Sequence, residues 1–145
     1  MLSDDEDNYF SLDSIRAGSL VILDLPISKY QEEGQAFQEI FKMFWQENIR
    51  NYQSQSNLKN CFIVSDEFQE FGAKSDVDFS SIARSAKVGM IYGTQNIPSL
   101  VEKLGEIRTK KLLGNFQTKI FFENDDEDTI KYIREKLAEK LSKSV

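Results

Sequence analysis

The chain has 145 residues, of which 40% are hydrophobic and 29% charged, a composition typical of one soluble globular domain. Its formal net charge is −6, so it lacks the basic charge of a free-standing nucleic-acid-binding domain. The absence of histidine excludes Ser-His and Cys-His catalytic pairs, and the single cysteine, Cys61, leaves almost no ligands for zinc. No apolar run reaches the length of about 20 residues that a membrane helix needs, and we expect a cytoplasmic location.

The first half of the chain predicts one strand and one long helix after an acidic start. Residues 1–17 are an acidic N-terminal segment that we expect to be partly disordered. The apolar run of residues 19–26, "SLVILDLP", ends in proline and predicts a buried strand. Over residues 34–52 apolar side chains recur at three- and four-residue steps. This spacing predicts an amphipathic helix whose broad apolar face contains Phe37, Ile40, Phe41, Phe44, Trp45 and Ile49.

The second half alternates between short apolar runs and helical patterns. Further strands are predicted at residues 61–64, 88–95 and 118–122. Helices are predicted between and after them, at residues 78–87 with Asp78 as N-cap, at 97–105 and from 125 to the C terminus. The alternation indicates an α/β domain over residues 18–145, with a mostly parallel sheet that is covered on both faces.

Polar side chains stand at the carboxyl ends of three predicted strands, where ligands of such sheets bind. They are Asp24, the pair Asp66-Glu67, and Gln95. An aspartate there holds Mg²⁺ through the ion's waters, and a neighbouring glutamate polarises an attacking water. Gln95 suits a sensor of a phosphate or of its water. The simpler alternatives are a strand-to-loop junction for the acidic pair and a helix-entry residue for Gln95.

Arg84 precedes the strand that ends in Gln95. A guanidinium there suits the stabilisation of a transferring phosphate in a neighbouring subunit, and the alternative is an ordinary surface arginine. A separate hypothesis is a Mg²⁺-dependent nuclease or phosphatase that uses Asp24, Asp66 and Glu67.

Three segments, in this order, carry a resemblance to a known family: "FIVSDEFQEFG", "SSIARSAKVGMIYGTQNIPSLVEKLG" and "LLGNFQTKIFFENDDEDTIKYI". Together they resemble the C-terminal part of the motor domain of TraG/TraD-type coupling proteins. These proteins are the DNA-pumping ATPases of bacterial conjugation and type IV secretion, within the FtsK/HerA group of RecA-like hexameric motors. The resemblance covers residues 18–137 and implies a three-layer RecA-like P-loop NTPase fold.

The resemblance also implies roles for individual residues. Asp66 would hold Mg²⁺ through water, Glu67 would activate the attacking water, and Gln95 would contact the γ-phosphate or that water. Arg84 would act on the nucleotide of a neighbouring subunit. The implied cofactors are ATP and Mg²⁺ in the intact motor. The implied partners are the other subunits of a hexamer, DNA and relaxosome or secretion proteins, with the parent protein at the cytoplasmic face of the inner membrane.

One part of the family pattern is missing from the sequence. The phosphate-binding motif GxxxxGK[ST] does not occur, so we expect the Walker B half of a motor, with a partial sheet that lacks the Walker A strand. We therefore expect no tight ATP binding and no ATP hydrolysis by this chain alone. The alternative is a non-catalytic RecA-like module that binds relaxosome or secretion proteins.

Overall fold

A computed structural model of the protein describes residues 11–51 and 59–142. The described residues divide into two compact units, one within residues 1–63 and 82–90 and the other within residues 64–81 and 91–145. Most of the predicted acidic segment, residues 1–17, lies outside the described residues. Its last five residues, Asp13–Ala17, form helix α1.

The first unit contains the long helix α2, Ile27–Asn51, which is interrupted at Gln31 (φ 43°, ψ −132°). The prediction of a helix over residues 34–52 is confirmed for its described part. The predicted apolar face is only partly right, because Phe37, Ile40 and Phe44 are 53%, 49% and 58% exposed. The buried positions follow helical spacing along a different line and include two polar residues: Lys42, Trp45, Gln46 and Ile49.

Two of the four predicted strands form a sheet. Strand β1, Cys61–Ser65, pairs with strand β2, Val88–Tyr92. The amide of Cys61 donates to the carbonyl of Lys87, and the amide of Gly93 donates to the carbonyl of Ser65, so both strands run in the same direction. The prediction of a strand at 61–64 and the parallel arrangement are confirmed, whereas the strand predicted at 88–95 is confirmed only as far as Tyr92.

The other two predicted strands are wrong. Residues 19–26 and 118–122 have no regular structure, and β1 and β2 are the only paired strands among the described residues. An apolar run becomes a strand only when a neighbour takes up its backbone hydrogen bonds. The side chains of both runs are accordingly exposed, Ile22 by 76% and Ile120 by 77%. The described fold is mixed α/β with a two-stranded parallel sheet. This sheet is smaller than the sheet of the three-layer RecA-like fold that we expected.

Between the strands, the helical segment lies earlier than predicted. Helices α3, Phe68–Phe71, and α4, Lys74–Ser80, follow β1, and turns occupy residues 81–87. The predicted helix over 78–87 with Asp78 as N-cap is therefore wrong. The Asp76 carboxylate accepts a hydrogen bond from the amide of Ala73 at 2.9 Å, which satisfies a free donor at the start of α4 instead.

Three helices complete the second unit: α5, Ile97–Leu104, α6, Glu106–Asn115, and α7, Glu127–Ser142. The prediction of α5 is confirmed, that of α7 is confirmed for its described part, and α6 was not predicted. Asn96 caps α5 by accepting a hydrogen bond from the amide of Ser99 at 2.9 Å. The core of the unit is an apolar cluster of Phe68, Phe71, Val77, Leu100, Leu104 and Leu112. None of the described helices is long and apolar enough to cross a membrane.

Candidate functional site

The candidate site lies at the carboxyl ends of β1 and β2, within the second unit. Asp66 and Glu67 follow β1, and Gln95 comes three residues after β2. Because the strands are parallel neighbours, their carboxyl ends meet at one edge. The Gln95 side-chain amide donates a hydrogen bond to Oε2 of Glu67 at 3.1 Å. The structure thus brings together two of the predicted site residues.

The backbone turns sharply at Glu67. Its φ and ψ of 50° and 41° are left-handed, a conformation that costs a non-glycine residue about 1–2 kcal/mol. The amide of Glu67 donates to Oδ1 of the exposed Asp66 at 3.0 Å, which supports this turn. On the neighbouring strand end, a Cβ on Gly93 would lie only 2.9 Å from the same Asp66 oxygen. Glycine at position 93 therefore lets the two strand ends pass close to each other.

Gln69 is a site residue that the sequence did not indicate. Its side-chain amide donates to the same Oε2 of Glu67 that Gln95 contacts. Gln69 is buried, whereas Gln95 is exposed, so the carboxylate is held by one amide from the interior and one from the solvent side. The only available signal was its spacing, two residues after Glu67, which is too short and common a pattern to interpret alone.

A second contact, which the sequence also did not indicate, holds the loop that carries Gln95. The Asn124 side chain donates to the carbonyl of Gln95 at 2.9 Å. Asn124 accepts from the amide of Asp126, and Asp126 accepts from the amide of Thr129, at 2.9 and 2.7 Å. The Thr129 hydroxyl accepts from the amide of Ile97 at 3.0 Å. The acidic segment before α7 and the first turn of α7 therefore hold the loop between β2 and α5 in place through hydrogen bonds.

An aromatic stack supports the site from the core. The ring of Tyr92, the last residue of β2, stacks on Phe68 with centroids 4.0 Å apart and planes inclined by 14°. The Tyr92 hydroxyl donates to the buried carboxylate of Asp76 at 3.4 Å. Burial and then the negative charge of Asp76 raise the pKa of Tyr92 far above its usual value, so the phenol stays neutral.

Two other predicted residues belong to the first unit. Arg84 lies in the turns before β2 and its side chain is exposed. Its role toward a neighbouring subunit stays a prediction. Asp24 is exposed in an irregular segment and does not end a strand, so the predicted strand-end placement of Asp24 is wrong.

The acidic side chains of the site suit one kind of contact with a metal ion, which is made through water molecules. Among the described residues, no group of three or more acidic, histidine or cysteine side chains could enclose a metal ion. Mg²⁺ keeps several waters and is commonly bound through one or two carboxylates together with substrate phosphates. The exposed carboxylate of Asp66 fits such a water-mediated contact. It does not form a metal cage by itself.

Comparison with known proteins agrees with the resemblance seen in the sequence motifs. The sequence model of a family described as the TraM recognition site of TraD and TraG matches residues 60–144. No curated protein and no solved structure matches the chain. The matched residues make up more than half of the chain and include both strands, helices α3 to α7 and the contact between Glu67 and Gln95. The chain belongs to the TraG/TraD C-terminal domain family.

Proposed function

We propose that this chain acts in bacterial conjugation as the C-terminal part of a coupling ATPase, and that Glu67 and Gln95 are its contribution to nucleotide hydrolysis. The observation that carries this proposal is the 3.1 Å hydrogen bond between them at the ends of two parallel strands. A carboxylate and an amide at this distance suit the polarisation and orientation of one water molecule.

The hydrogen bonds around Glu67 assign different roles to its two carboxylate oxygens. Gln69 and Gln95 both donate to Oε2, so Oε1 is the oxygen that would take a proton from the attacking water. Gln69 and Asn124 are positioning residues, because they hold the carboxylate and the Gln95 backbone. Asp66 would hold Mg²⁺ through water, and the ion, when bound, supplies charge that neutralises the phosphates.

This sequence does not contain the phosphate-binding motif, and in the proposed motor that motif would be supplied from elsewhere. Hydrolysis is accordingly a property of the assembled motor. In a hexamer, Arg84 would act on the nucleotide of the next subunit, as arginine fingers do.

Substitution of Glu67 in the assembled motor tests this proposal. Glu67→Gln removes the base and keeps the shape of the side chain, so ATP turnover should fall by about 10²–10⁴-fold while nucleotide binding persists. Glu102→Gln, at an exposed position on α5, is the matched control and should leave turnover unchanged. Normal turnover with Glu67→Gln would show that the proposal is wrong.

The family description favours a second function, recognition of a relaxosome protein of the TraM type. In this function the chain is an interaction module and needs no bound nucleotide. Calorimetric titration of the purified chain with the TraM-type protein of the same transfer system tests it directly. Binding that Glu67→Gln leaves unchanged is expected, and no binding at all would exclude this function.

A further inference from the structure

The second unit contains a cavity of about 330 Å³ away from Glu67 and Gln95, between the end of α6 and the middle of α7. Three lysines line it, Lys110 from α6, Lys119 from the segment after α6, and Lys136 from α7. The chain as a whole has a net charge of −6, so a cavity with three lysines differs sharply from the average surface.

Lys119 is the most buried of the three lysines. Its ammonium donates to the carbonyl of Phe116 and has no carboxylate partner among the described residues. Burial, and then the positive charge of Lys136, lower the pKa of Lys119. The two ammonium groups therefore repel each other, and an anion bound beside them would relieve that repulsion.

The other two lysines have carboxylate partners, and an incoming anion would share the two ammonium groups with these partners. Lys110 pairs with Glu106 at 2.7 Å, and Lys136 pairs with Glu139 at 2.8 Å. All four side chains are about half exposed or more, and ion pairs of this kind contribute little to stability. Their ammonium groups therefore remain available to a ligand.

Apolar side chains form the remaining wall of the cavity. Leu113, Phe116 and Tyr132 line it, and the Lys136 ammonium lies 5.9 Å from the centroid of the Tyr132 ring. A complementary ligand would therefore have an apolar side chain that packs against this wall, and negative charges beside that side chain that pair with the lysines.

We propose that this cavity binds an acidic segment of a partner protein, with one apolar or aromatic side chain against Phe116 and Tyr132 and flanking carboxylates on the three lysines. The proposal rests on the second proposed function, recognition of a relaxosome protein, and names the surface that would perform it. A short peptide segment fits better than nucleic acid, because it can place an apolar side chain against Phe116 and Tyr132, whereas a long run of phosphates would extend beyond the lysines over a chain of net charge −6.

Fluorescence anisotropy with a defined peptide tests the proposal. The probe is a short labelled peptide of aspartate and glutamate around a central phenylalanine, and its control replaces each acid with its amide. We expect the full chain to bind the acidic probe and to bind the amide control far more weakly. Lys119→Glu and Lys136→Glu should each weaken binding of the acidic probe by about tenfold or more.

Matched variants distinguish binding of the peptide in this cavity from a general effect of the protein's charge. Lys131→Glu makes the same charge change on α7 outside the cavity and should alter the affinity by less than about twofold. Circular dichroism of each variant establishes that it is folded. Lys119→Arg keeps its charge at high pH, so it should retain binding at a pH where the native chain, with its lowered Lys119 pKa, loses it.

Three results would overturn the proposal: equal binding by Lys119→Glu and the native chain, equal binding of the acidic and amide probes, or tighter Lys119-dependent binding of oligothymidine than of the acidic probe.

Binding of the TraM-type protein distinguishes the cavity proposal from the recognition function on which it rests. If it binds the native chain and Lys119→Glu equally, the cavity proposal fails and recognition stands. If it does not bind while the acidic probe binds in a Lys119-dependent way, recognition of that partner fails and the cavity assignment stands.

Discussion

Glu67 combines a strained backbone with two side-chain hydrogen bonds, and these effects can be measured separately. Lys87 has a similar left-handed backbone, with a φ of 55°, and offers a matched comparison. Lys87→Gly should raise the free energy of unfolding by about 0.5–1 kcal/mol, because glycine adopts this conformation without steric cost. Glu67→Gly relieves the same strain but leaves the buried amide of Gln69 without its acceptor, at a cost of about 1–3 kcal/mol.

We therefore expect urea denaturation to show stabilisation by Lys87→Gly and destabilisation by Glu67→Gly. Equal stabilisation by both variants would mean that the contact between Glu67 and Gln69 contributes nothing to stability.

The raised pKa of Tyr92 predicts that the free energy of unfolding decreases at high pH. Its pKa is raised in the folded protein, so the folded state holds the phenolic proton at a pH where the unfolded chain has lost it. The stability contribution of the neutral phenol is fully present below about pH 10, the ordinary pKa of tyrosine, and falls as the pH rises further. The free energy of unfolding of the native chain should thus decrease above about pH 10 more steeply than that of Tyr92→Phe. Parallel pH profiles of the two proteins would contradict this assignment.

At the scale of elements, the start of α7 stabilises the start of α5 through one hydroxyl group. Thr129 is buried and accepts from the amide of Ile97 at 3.0 Å. Thr129→Val keeps the shape of the side chain and removes this acceptor, so it should cost about 1–3 kcal/mol of unfolding free energy. Thr129→Ser keeps the hydroxyl and should cost less. If thermal unfolding shows Thr129→Val to be as stable as the native chain, another acceptor must satisfy Ile97.

For the molecule as a whole, the irregular segment at residues 118–122 exposes a large apolar surface. Ile120 and Phe122 are 77% and 86% exposed, and exposed apolar patches promote association between molecules. Phe122→Lys should increase the solubility of the isolated chain and leave its unfolding free energy within about 0.5 kcal/mol of the native value, as is usual for exposed positions. Light scattering against concentration measures the first effect, and a large loss of stability would show that Phe122 packs within the fold.

The family could be recognised from the sequence because its motifs are local and occur in a fixed order. Strands β1 and β2 and helices α5 and α7 were likewise predictable, since apolar periodicity and helix-end residues such as Pro98 and Gly105 act over a few neighbouring positions. The acidic pair could be placed directly after β1 for the same reason, whereas Gln95 lies three residues beyond the end of β2.

Tertiary structure alone decided which apolar runs are paired and which side chains complete the site. Residues 118–122 have as strong a strand pattern as β2, but a strand requires a hydrogen-bonding neighbour, and local sequence does not contain one. The buried line of α2 includes Lys42 and Gln46 because packing, rather than hydropathy, determines which face is covered. Gln69 and Asn124 became site residues only through contacts with Glu67 and with the Gln95 carbonyl, 29 residues distant in the latter case. Such contacts depend on how strands and loops meet in space, which no spacing within a single segment determines.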